Sequence, residues 1–168
     1  MDRGRAWTRM ARYAAISTAV GCARREVAHT LREWDLPGLL DAAELLASEL
    51  VTNAVTATGD DTDRPLRYTE LRGLALIGME LRAEDGVLHI YVWDRAMAPP
   101  VRKEVGFDAE DGRGILLVDM ISSHWGHYYP EFGGKVVWCE VATDTDTDTD
   151  AADETRDADP ADGTRGGG

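Results

Sequence analysis

The 168-residue chain is long enough for one domain with a buried core. Its 31 acidic against 18 basic residues give a formal charge of −13, which argues against non-specific DNA or RNA binding, since that needs clustered Lys and Arg. Two distant cysteines, Cys22 and Cys139, suit neither a zinc site nor a disulfide framework, and no apolar run approaches the ~20 residues of a membrane span, so a cytoplasmic, reducing setting is the default.

Residues 1–13 carry Arg3, Arg5, Arg9 and Arg12 with little apolar content. They read as a loose arm over 1–16, with at most a short edge strand at Ala14-Ala15-Ile16. Ser17 or Thr18 can cap a helix that runs to about Trp34, with Val20, Ala23, Val27, Leu31 and Trp34 on its core stripe. Asp35-Leu36-Pro37-Gly38 breaks it. A second helix follows over 39–58, and Gly59 ends it.

The polar connection 59–73 is a surface loop with room for a short strand near Leu66–Tyr68. Residues 74–82 and 87–93 read as two strands of a hairpin turned by Glu84-Asp85-Gly86. The stretch 95–111, with Pro99, Pro100 and Gly106, has little periodicity and reads as a mobile loop. Gly112-Arg113-Gly114 opens a third helix to about His124, and 125–129 with 135–141 form a last hairpin around Pro130-Glu131-Phe132-Gly133-Gly134. His124 and His127 have no Cys or His cluster to complete a metal set and read as surface or edge residues. From Thr143 to Gly168 nine acids stand against two arginines, and apart from Pro160 no apolar side chain exceeds Ala. Such a tail cannot bury enough surface to offset its ordering entropy, so disorder is expected over 143–168 and the folded domain over 17–142.

Three places carry chemistry. Glu49 and Asn53, four apart, project from one side of the second helix, beside the apolar stripe Leu46, Leu50 and Ala54. A carboxylate can take a proton or orient a nucleophile, and an amide oxygen can ligate Mg²⁺. Alone, such a pair also fits an ordinary solvated helix face. Asp94 ends an apolar strand, where a buried carboxylate needs donors and a purine amino group is a suitable one; a plain turn aspartate is the other reading. Gly112-Arg113-Gly114 lets a backbone approach a phosphate at a helix start, although a lone Gly-x-Gly also serves as a flexible entry.

In this order the motifs resemble the GHKL, or Bergerat-fold, ATP-binding domains, and within them the anti-sigma-factor serine/threonine kinase branch. Glu49-Leu50-Val51-Thr52-Asn53-Ala54 is similar to the N box, and Trp93-Asp94-Arg95-Ala96-Met97-Ala98-Pro99 to the first glycine box. Gly112-Arg113-Gly114-Ile115-Leu116-Leu117-Val118 is similar to the second. Trp125-Gly126 and Gly133-Gly134-Lys135-Val136-Val137-Trp138 resemble the branch's C-terminal hairpin. The resemblance covers about Ser17 to Val141.

It implies an α+β fold: a two-layer sandwich whose mixed, mainly antiparallel sheet is covered on one face by three helices. It also implies ATP and Mg²⁺ as ligands. Asn53 would ligate the metal, Glu49 would act as general base or orient the attacking hydroxyl, and Asp94 would accept from the adenine amino group, with Ala96 on the same side. Gly112, Arg113 and Gly114 would line the phosphates, and 95–111 would be the ATP lid. The implied partners are a sigma factor and an anti-sigma antagonist, with a second copy of the chain as a further option, and neither nucleic acid nor membrane. Two departures bear on activity. Ala96 stands where glycine is preferred. Glu110 and Asp111 stand where the kinase branch often has an arginine, and two acids beside a triphosphate are unfavourable. ATP binding thus rests on more of the pattern than phosphoryl transfer does, and a non-catalytic regulator that sequesters a partner is the rival reading. A histidine-kinase ATPase fragment is weaker, as no phosphoacceptor-helix module is recognisable upstream.

Overall fold

The computed structural model describes residues 6–58, 70, 73–100 and 114–142. In chain order these are strand β1 (Trp7–Ala14), helix α1 (Thr18–Glu33), a 3₁₀ turn (Pro37–Leu39), helix α2 (Leu40–Thr58), strands β2 (Leu76–Glu84) and β3 (Val87–Asp94), helix α3 (Gly114–Ile121), and strands β4 (His124–Tyr128) and β5 (Lys135–Ala142). The five strands form one sheet in the order β1-β2-β3-β5-β4, and every pairing is antiparallel.

The α+β expectation is met. Helix α2 packs on β2, β3 and β5 and is flanked by α1, which also meets β1, and by α3, which also meets β4. One face of the sheet supplies the core: Ile77, Met79 and Leu81 from β2, Leu88, Ile90 and Val92 from β3, Val137, Cys139 and Val141 from β5. These alternate with residues on the other face, as strand geometry requires. The helices answer with Val27 and Leu31 from α1, and Leu46, Leu50, Val51 and Ala54 from α2.

Local chemistry explains the joints. At the end of α1 Asp35 takes φ 57°, the Leu36 N–H donates to the Leu31 carbonyl at 2.9 Å and the Asp35 N–H to the Arg32 carbonyl at 3.3 Å. This is a Schellman stop with Asp in the place glycine usually takes, followed at once by Pro37. Asp85 and Gly86 both have positive φ, so the β2–β3 hairpin turns through the primed geometry that matches strand twist. Ser17 sits at the start of α1 but makes no side-chain cap; the Ala19 and Val20 N–H groups donate to the carbonyls of Ile16 and Ser17 instead.

The main correction concerns the N-terminus. The expected arm is a strand from Trp7 to Ala14, paired along its whole length with β2. Trp7 stacks on Trp34 with ring centroids 5.9 Å apart, and Arg9 forms ion pairs with Glu26 and Glu33 of α1. Charged and aromatic side chains thus hold the strand to the helix layer. The third helix ends at Ile121, not near His124, which opens β4. The strand expected near Leu66–Tyr68, most of the lid, and the tail from Thr143 lie outside the described residues, as do Arg3 and Arg5.

Cys139 lies in the core, where burial pushes its thiol pKa up to about 12; Cys22 is half-buried, and both are free thiols. Among the described residues no helix is long and apolar enough to cross a membrane.

Candidate functional site

Helix α2 turns its apolar side to the sheet through Leu46, Leu50 and Ala54. Glu49 and Asn53 therefore lie off that stripe, and both are half-buried. Burial raises the Glu49 pKa above the ordinary carboxylate range, the direction that suits a proton acceptor. The Asn53 amide nitrogen is buried and has no hydrogen-bond partner among the described residues. An unsatisfied buried amide is costly. Which end of the amide points inward is an assignment, so the orphan stands for one amide end, nitrogen or oxygen. Either suits a phosphate–metal group, the nitrogen as donor to a phosphate oxygen and the oxygen as ligand to a hard cation.

Asp94 closes β3 on the helix side of the sheet and is fully buried, at 0% exposure. Its partner is Lys135, 1% exposed, directly across the ladder at the start of β5. The Lys135 ammonium donates to both carboxylate oxygens, to Oδ1 at 2.8 Å and Oδ2 at 2.7 Å. The Ala96 N–H donates to Oδ1 at 2.8 Å. Asp94 is therefore not a plain turn aspartate. Ala96 does not need glycine's conformations either, since Asp35 and Asp85 alone among the described non-glycine residues have positive φ.

The pair is braced from the β4–β5 turn. Gly134 has φ +76°, and a Cβ there would run into the Asp94 carbonyl and sit 2.7 Å from Trp93 Nε1. Trp93 Nε1 donates to the Gly133 carbonyl at 3.0 Å, and the Trp93 and Phe132 rings lie 6.2 Å apart. Glycines allow this close approach of turn to strand.

Helix α2 packs on both β3 and α3, so it adjoins the other two elements that carry the expected site. Gly114 is the first residue of α3. Gly112, Arg113, Glu110 and Asp111 lie outside the described residues. Lys135 was missed as a site candidate. Its signal was a lysine opening an apolar strand, Lys135-Val136-Val137, where a buried cation requires a buried acid.

Against known protein families, residues 13–140 match the model of the histidine kinase-like ATPase domain. The chain belongs to this family. No curated protein matches it significantly. Membership in an ATPase-domain family implies ATP binding, and the matched span runs from the end of β1 nearly to the end of β5.

Proposed function

We propose that this histidine kinase-like ATPase domain protein is a cytoplasmic Mg-ATP-binding regulator that phosphorylates a Ser or Thr of an antagonist protein and otherwise sequesters a sigma factor. The observation that carries it is the orphaned amide of Asn53 beside Glu49, whose pKa is raised, on the helix that packs against β3 and α3. Asn53 would hold Mg²⁺. Glu49 would accept the proton of the attacking hydroxyl. Asp94 and Ala96 would border the adenine, and Gly112, Arg113 and Gly114 would line the phosphates. ATP supplies the transferable phosphoryl group; the protein's part is positioning and charge neutralisation. A non-catalytic binder is the second reading, favoured by Glu110 and Asp111 before the second glycine box.

Glu49→Gln separates the two. With labelled ATP and candidate antagonist proteins, phosphate transfer is expected to fall by about 10²-fold or more while ATP binding persists. Transfer unaffected by the substitution would remove Glu49 from its role, and ATP binding without transfer to any antagonist favours the binder. The same variant has a stability signature. Because burial raises the folded-state pKa of Glu49, its contribution to stability is full below the unfolded pKa and is lost as pH rises through the folded pKa. Glutamine carries no such loss. The melting temperature of Glu49→Gln relative to wild type should therefore climb as pH rises above the unfolded-state carboxylate value of about 4.

A further inference from the structure

We infer that an arginine-lined groove between α1 and α2 is the docking site of the chain's own acidic C-terminal segment, residues 143–168. The groove shares no residue with the nucleotide-site reading. It is lined by Gly21, Arg24, Arg25, Ala28 and Arg32 of α1 and by Glu44 of α2. Arg24, Arg25, Ala28 and Arg32 fall three, four, seven and eleven residues after Gly21, so the five share one helix face. Small residues keep its floor low, and a Cβ added at Gly21 would meet nothing within 4 Å. All three arginines are exposed. Among the described residues the side chains of Arg24 and Arg32 have no ion pair, and Arg25 reaches only the Cys22 sulfur, at 3.5 Å. The acids of α1 do not neutralise them, because Glu26 and Glu33 are held by Arg9 of β1. Three arginines thus face Glu44 alone, in a chain whose formal charge is −13. An extended acidic segment is the complement of such a groove.

Residues 143–168 supply one, with nine acids against Arg156 and Arg165. They also leave the sheet at the right end. Ala142 closes β5 and pairs with Val87, which pairs with Glu84; the preceding Ala83 pairs with Trp7. Trp7 stacks on Trp34, the residue after α1, so the Arg32 end of the groove lies at the same end of the sheet as Ala142. From β5 to β1 is three strand spacings, about 15 Å. The 26 residues beyond Ala142 can span about 85 Å, so reach is not limiting. Exposed arginine–carboxylate pairs are individually weak, but tethering gives the segment an effective concentration in the millimolar range. Docked, it keeps the groove from other acidic segments, and salt releases it.

The test is carbodiimide cross-linking of full-length Arg32→Lys, read by mass spectrometry after proteolysis. The substitution keeps the charge and supplies an amine; the chain's own lysines are Lys103 and the buried Lys135. An equal mixture of ¹⁵N-labelled and unlabelled chains tells links within one chain from links between chains. The expected result is peptides joining position 32 to acids of 143–168, both partners light or both heavy, at low salt. Their yield should fall about fivefold or more in 0.5 M salt, or when Arg24→Glu and Arg25→Glu are added. Links from position 32 to Glu44 without any to 143–168 overturn the inference, as does no link at all. Light–heavy links overturn it in favour of the acidic segment of a second copy. A yield that ignores both salt and the two charge reversals also overturns it.

Discussion

Asp94→Asn is expected to lower the unfolding free energy by about 3–5 kcal/mol, because it leaves the Lys135 charge buried without its counter-charge. For a domain of this size that is a fall of about 10 °C in melting temperature. Lys135→Met strands the opposite charge and should cost about as much. The double variant removes both charges and should lie well above the sum of the single losses, with a coupling of about 2 kcal/mol or more in a urea cycle. The Ala96 N–H keeps an amide oxygen as acceptor in Asp94→Asn, so the turn after β3 is retained and the cycle reports the ion pair. Single losses under about 1 kcal/mol that simply add would mean the pair is solvated, as surface pairs are.

Gly134→Ala is expected to cost about 3 kcal/mol or more, from overpacking against backbone added to the left-handed conformation. The neighbour is a matched control. Gly133 has φ +90° but nothing within 4 Å of an added Cβ, so Gly133→Ala should cost only the conformational part, about 1–2 kcal/mol. Denaturant unfolding of the two variants separates close approach from φ. Because the alanine methyl at 134 meets the Asp94 carbonyl and the Trp93 indole, the damage should reach the end of β3. Equal losses in the two would show that the turn can move away from the strand.

The parts of the fold legible from sequence were those whose residues follow one rule at a time. Helices α1 and α2 carry clean apolar stripes, and Asp85-Gly86 is a two-residue turn whose composition fits the geometry found. Strand β1 was not legible, because its contacts to the helix layer are made by Trp7 and Arg9 rather than by an aliphatic alternation. An arginine in an N-terminal segment reads as solvated until the acids that meet it, Glu26 and Glu33, are placed by another element. The same limit applies at the site. Asp94 could be singled out because it interrupts an apolar run. Lys135 could not be tied to it, since the two are 41 residues apart and meet only through the β3–β5 register. Glu49 and Asn53 were visible as a pair from their spacing, but the orphaned amide that sets them apart from a solvated pair is a property of packing.

The central claim, that the Asn53 side of α2 faces a metal–nucleotide group, is tested most directly by calorimetric titration of ATP into the full chain with and without Mg²⁺, in wild type and in Asn53→Ala. The expected result is saturable, Mg²⁺-dependent binding that weakens by about tenfold or more in Asn53→Ala, the loss of one hydrogen bond or ligand to a charged group. No heat of binding at millimolar ATP, or binding of equal strength in both proteins, would contradict it.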